Sequence, residues 1–164
     1  MCEDRITPYL EDILAAVLAY VDDCDLPHFC RTGLVGGNPA WDDCCDCGDG
    51  SGQLWVRLVT WEPDPEFIQP TPFGCDQPTM LTIGVGALRC VPTIDEHGNP
   101  PSASAETTSA RQILHDAEVV KNAVMCSIEE RFWQGWTALD YAGGCGGGEH
   151  LFLIPYPGCD CSES

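Results

Sequence analysis

Twelve cysteines and four histidines are the side chains of this sequence most able to hold a metal or carry redox and nucleophilic chemistry. Cys44-Cys45-Asp46-Cys47 contains a C-x-x-C, and Cys159-Asp160-Cys161 adds two thiols far along the chain. A tetrahedral zinc site wants two such pairs, each with about two to four residues between its ligands. The second pair has a single intervening residue, which is poor geometry for zinc. A redox C-x-x-C wants a strand-to-helix junction, and this one lies among Gly and Asp residues instead. Disulfides fit the pattern better, because the thiols form an even set and most fall in loops. The candidates are Cys24, Cys30, Cys44, Cys45, Cys47, Cys75, Cys145, Cys159 and Cys161. Cys90, ending a strand, and Cys126, on a helix, fit buried and unpaired positions as an alternative. The pairing itself is not legible in a sequence.

The remaining groups do not converge. His28 and His97 fall in loops, His115 sits beside Asp116 on a helix, and His150 opens a strand, with no spacing that implies a shared site. His97, inside Glu-His-Gly-Asn, reads as a solvated turn residue. The run Gly143-Gly144-Cys145-Gly146-Gly147-Gly148 lacks the Lys and Ser/Thr of a phosphate loop and precedes an apparent strand, so it reads as a turn. No G-x-S-x-G occurs. Asp42-Asp43 has no apolar setting to shift a carboxyl pKa. The expectation is a protein that is not an enzyme, with no cofactor and no metal.

Charge sharpens that expectation. Seven basic residues face 26 acidic ones, for a net of −19. Such a surface repels phosphate backbones and anionic lipid, which argues against nucleic-acid reading and membrane binding. Six of the seven basic residues are Arg, which suits fixed, bidentate contacts. Glu3 and Asp4 stand where a signal peptide would be basic, so folding in a cytosol is expected.

The elements that must position these groups follow from periodicity. Ile6, Tyr9, Leu10, Ile13, Leu14, Val17 and Val21 form one face of a first helix, with Thr7 as its expected cap and Pro8 as its first helical position. Gln53 to Trp61 and Thr79 to Cys90 alternate as strands, the first with large apolar groups on both faces. Gly84 and Gly86, on one face of the second strand, predict close approach of a helix or another backbone. A long helix is expected from Ser102 or Ser104 to about Phe132, with Ala110, Ile113, Leu114, Ala117, Val120, Val124 and Ile128 inward. His150 to Ile154 reads as the last strand. The whole is an α+β fold: an N-terminal helix, a mixed or antiparallel sheet of about four strands, a long helix on that sheet, and a C-terminal strand. A single domain over 1–164 is expected, with a Cys-rich loop at 41–52, a Pro-rich loop at 62–78 and an acidic tail at 156–164.

Several spaced words carry a family resemblance. Trp41-Asp42-Asp43-Cys44-Cys45, Gly52-Gln53-Leu54-Trp55-Val56-Arg57, Leu88-Arg89-Cys90-Val91-Pro92-Thr93 with Asp95, Gly98, Pro100 and Pro101, and Gly144-Cys145-Gly146-Gly147-Gly148-Glu149 resemble small head–tail joining proteins of long-tailed actinobacterial phages. The order of elements resembles the tail terminator fold. That resemblance implies a structural virion protein, a homohexameric ring at the head-proximal end of the tail tube, assembled in the host cytoplasm. It implies the major tail tube protein and a stopper or connector protein as partners, with genomic DNA passing through an acidic lumen and no membrane involved. Cys47 and the acidic extension after Pro155 depart from the family pattern. A stopper or adaptor role, and a zinc- or redox-active Cys protein, are the alternatives. Trp61, at a strand end, and Trp133 and Trp136, near the end of the long helix, are the candidate interface anchors.

Overall fold

The structure, a computed structural model, describes residues 4–24, 26–39, 51–67 and 78–157. Its elements run α1 (Ile6–Asp23), β1 (Arg31–Leu34), β2 (Gln53–Pro63), β3 (Thr79–Cys90), α2 (Ala103–Ser127), β4 (Phe132–Ala142) and β5 (Cys145–Tyr156). The fold is α+β, with five strands where about four were expected. The strands lie in the order β1-β2-β3-β5-β4, with β1 parallel to β2 and every other pairing antiparallel.

Asp4, rather than Thr7, caps α1: its Oδ1 accepts the N–H groups of Ile6 and Thr7. Two donors that the first turn leaves orphaned are thereby satisfied. Leu10, Ile13, Val17 and Val21 are buried along the expected stripe. At α2 the Ser102 hydroxyl accepts the Ala105 N–H at 3.2 Å, the expected cap. The helix stops at Ser127, five residues before the expected end, because Ile128 turns to extended backbone. Its last carbonyls find side chains: Ser127 Oγ donates to the Ala123 oxygen at 2.6 Å, and Arg131 Nη2 to that of Met125. The inward stripe is also rotated from the expected one. Leu114 and Ala110 are exposed, while Asp116, Val119 and Ala123 turn inward beside Ile113, Val120 and Val124.

Both helices cover one face of the sheet. Leu54, Val56, Leu81, Ile83, Val85, Phe152 and Ile154 pack there against the two helical stripes. Each fully buried aliphatic or Phe side chain contributes about 1.5–3 kcal/mol through loss of water contact.

The opposite face carries a smaller cluster of Trp55, Leu88 and Cys145. Gly84 and Gly86 make room there for side chains, not for the helix or backbone the sequence predicts. A Cβ at Gly86 would enter the Trp55 ring, and one at Gly84 the Glu149 carboxylate. Trp55 Nε1 donates to Glu149 Oε1 at 2.9 Å, and Arg57 donates to both Glu149 oxygens at 2.7 Å. The same guanidinium donates to the Gly37 carbonyl and Asn38 Oδ1, which draws the segment after β1 onto this face. The first half of β2, Gln53 to Val56, is thus covered on both sides, as its sequence implies, whereas Val59 to Pro63 is exposed.

The glycine run divides. Gly143 and Gly144, both at positive φ, make the turn, and Cys145 to Gly148 belong to β5. The Pro-rich stretch holds the end of β2 and a 3-10 turn at Pro65–Phe67. Most of the Cys-rich loop and of the acidic tail lies outside the described residues. No helix among the described residues is long and apolar enough to cross a membrane.

Candidate functional site

The two ends of the sheet differ in chemistry. At one end lie the start of β2 and β5 and the close of β3; here Cys30, Cys90 and Cys145 are disulfide-bonded. Cys90 is therefore bonded and exposed, not buried and unpaired. Cys24, expected among the disulfide candidates, is a free thiol at the close of α1, and Cys126 is free and exposed rather than buried. Cys44, Cys45, Cys47, Cys75, Cys159 and Cys161 lie outside the described residues. Alkylation of the unfolded, unreduced protein, followed by peptide mapping, is expected to label Cys24 and Cys126 and to spare Cys30, Cys90 and Cys145. Label on any of those three would contradict the bonded state.

Charged groups inside the fold are consumed by packing. Arg89 and Asp116, each 3% exposed, pair through Nε at 2.7 Å and Nη2 at 3.1 Å. Arg89 Nη1 also donates to the Ser51 carbonyl, and its guanidinium lies 3.7 Å above the Phe29 ring. Gln112 Nε2 donates to Asp116 Oδ1 at 3.0 Å. This cluster ties α2, β3 and the entry to β2 together, and on the other face Arg57 with Glu149 ties β2 to β5 and to the segment after β1. Removing these two pairs leaves five basic against 24 acidic side chains, so the net of −19 falls on the rest of the molecule.

His150 is not an opening residue but sits within β5, buried against α2 and β4. Trp133 Nε1 donates to its Nδ1 at 3.1 Å, so the other nitrogen must carry the proton that reaches the Ala117 carbonyl at 2.7 Å. This neutral tautomer satisfies both contacts, and the imidazolium would set two N–H groups against each other. Burial pushes the His150 pKa below its usual value, outweighing the Ala117 bond that raises it; nearby Lys121 adds a smaller lowering. The unfolded chain then binds more protons than the folded one as pH drops below the ordinary histidine value of about 6.5. Stability from this group is present above that pH and is lost toward the lower folded pKa, with a slope of at most about 1.4 kcal/mol per pH unit. Urea titrations of the protein and of His150→Gln between pH 7 and 5 measure it: the variant is expected to lose part of the slope.

The other end of the sheet is aromatic. There β2 and β5 finish and β3 and β4 begin. Of the six exposed large apolar side chains among the described residues, four lie here: Val59, Trp61 (57% exposed), Phe132 (63%) and Trp133 (44%). Trp133 and Trp136 belong to β4, not to the end of α2, and Trp136 is half-buried over Gly148. Trp61 is pinned by a 2.9 Å bond from its Nε1 to Thr79 Oγ1 and meets Tyr156 edge-on at 6.4 Å. Tyr156 in turn meets Tyr9 of α1 at 6.2 Å. Beside this ladder a groove of about 410 Å³ opens between α1 and the end of α2, with Tyr9, Ile13, Ile128, Ile154 and Pro155 in its walls and Asp12, Glu129 and Glu130 among its linings. Sequence reasoning singled out Trp61 but missed Tyr9, Tyr156 and this acidic rim. They come from separate elements: α1 supplies Tyr9 and Asp12, β5 supplies Tyr156, and the chain after α2 supplies Glu129 and Glu130.

Among the described residues no group of three or more His, Cys, Asp or Glu side chains is placed to hold a metal. No protein-family model and no curated protein matches the chain. Among solved structures it is similar, at 12% identity and a TM-score of 0.38, to the sheath/tube terminator of an extracellular contractile injection system, PVC, in its extended state. All of this chain aligns, and it spans 60% of that terminator's chain.

Proposed function

We propose that this chain is a non-catalytic ring subunit of a phage particle, a tail terminator at the head-proximal end of the tail tube. The observation that carries this reading is the placement of its exposed aromatic side chains. Trp61 lies on the part of β2 beyond Val56, where the β1 pairing has ended, and Phe132 and Trp133 lie on β4 at the far side of the sheet. Two different apolar patches on opposite flanks suit a head-to-tail contact, in which one face of each copy meets another face of the next and rotation closes a ring. A surface carrying nearly the whole of the −19 charge suits a wall past which DNA slides without counterion-release binding. The family words quoted above point the same way. The tail tube protein on one side and a stopper or connector protein on the other are the partners of this reading.

Native mass spectrometry and particle imaging test it. The expected result is a six-membered ring capping one end of the tube. Trp61→Glu combined with Phe132→Glu is expected to abolish the ring while leaving the far-UV circular dichroism of the monomer unchanged. Another copy number, a position away from the tube end, or ring formation by the double variant would overturn the reading.

A further inference from the structure

The groove at the aromatic end has a chemistry of its own. Its floor is apolar, with Ile13, Ile128 and Ile154, and its rim is anionic, with Asp12, Glu129 and Glu130. None of these three carboxylates has an ion-pair partner among the described residues. The last turn of α2 carries no basic residue of its own, and its final carbonyls are met by Ser127 and Arg131. Arg131 is the neighbouring cation, and it is turned to the carbonyls of Met125 and Glu129 rather than to the rim carboxylates.

The aromatic ladder continues the groove. Tyr9 belongs to both, and from it the rings step through Tyr156 to Trp61. Trp61 is more than half exposed, yet its indole is held by Thr79, so its ring presents a fixed surface. Aromatic faces attract cations through the ring quadrupole, and carboxylates accept the two-pronged hydrogen bonds of a guanidinium. An apolar floor takes the aliphatic stem of the same side chain. Anionic rim, stacked rings and apolar floor together match one kind of guest.

We propose that this groove docks an arginine-bearing segment of a partner protein. Arginine fits better than lysine because its planar head both stacks on a ring and forks onto a carboxylate. The inference is read from a single copy of the chain: the guest lies between α1, the end of α2 and β5, and Trp61, assigned above to the ring contact, stands outside those walls.

The test uses the purified protein and three short blocked peptides of alternating Leu and one variable residue: arginine, citrulline or lysine. Isothermal titration and proton–nitrogen NMR report affinity and place. The arginine peptide is expected to shift the amides of Tyr9, Ile13 and Ile154. It should bind at least ~10-fold tighter than its citrulline counterpart, which keeps the shape and loses the charge, and measurably tighter than the lysine peptide. Glu129→Gln with Glu130→Gln is expected to weaken binding about 10-fold, and Tyr9→Leu, which removes the ring within the groove, several-fold. Asp22→Asn with Asp23→Asn, at the far end of α1, should leave affinity unchanged. Equal binding of the citrulline peptide, equal loss in the Asp22 and Asp23 variant, or self-association through the groove in place of peptide binding would each overturn the proposal.

Discussion

Arg89→Met is expected to lower the unfolding free energy by about 3–5 kcal/mol, the cost of leaving one member of a buried ion pair without its partner. Asp116 is 3% exposed, so water cannot replace the lost guanidinium. The substitution also strips the Ser51 carbonyl of a donor and Phe29 of the cation above its ring. Gln112 remains as a single neutral donor to the stranded carboxylate. Small domains have only about 5–15 kcal/mol in all, so the variant should unfold at far lower urea concentration. Adding Asp116→Leu removes the stranded charge and is expected to restore a large share of the loss, because apolar replacement of both partners is often close to neutral. Urea denaturation followed by circular dichroism measures both. A double variant no more stable than the single one would show that the pair acts through some route other than charge burial.

Gly52→Ala is the second large effect. Gly52 holds φ of +90°, and a Cβ there would run into the carbonyl oxygen of Leu88. The Gly52 carbonyl accepts the N–H groups of Cys30 and Arg31, so the residue cannot retreat without breaking the entry to β1. Gly98 supplies the control, because it has φ of +82° with open space around it. Gly98→Ala is expected to cost about 1 kcal/mol, the penalty of left-handed backbone alone. Gly52→Ala adds a collision with backbone and is expected to cost about 3 kcal/mol or more. Midpoints of urea unfolding compare the two directly, and equal losses would remove the collision from the account.

Both sites stand at a junction that the sequence shows only in part. α1, β2 and β3 were legible because their apolar periods run unbroken through Leu10, Ile13 and Val17, or through Leu81, Ile83 and Val85. β4 was hidden by a register shift between Trp133 and Gly135. That irregularity leaves Trp133 and Trp136 three residues apart while both contact His150, which imitates helical spacing. The expected helix ran on to Phe132 for the same reason. β1, at four residues, is too short to carry a period. Three of the five glycines in the run belong to β5, since glycines offer no alternation to read. Asp116 was hidden by its chemistry: a stripe built on apolar residues passes over a carboxylate whose partner lies 27 positions away. The acidic groove was illegible because its walls belong to α1, the end of α2 and β5.

The order of the strands has a consequence for synthesis. Of the five described strands β5 leaves the ribosome last, yet it takes an interior place in the sheet, between β3 and β4. Until residues 145–156 emerge, β4 has no neighbour and β3 exposes the side on which twelve residues will pair. A nascent chain therefore cannot settle into a smaller version of this fold, and a truncated product should be left with bare strand edges. Emergence of β5 and closure of the sheet are one event.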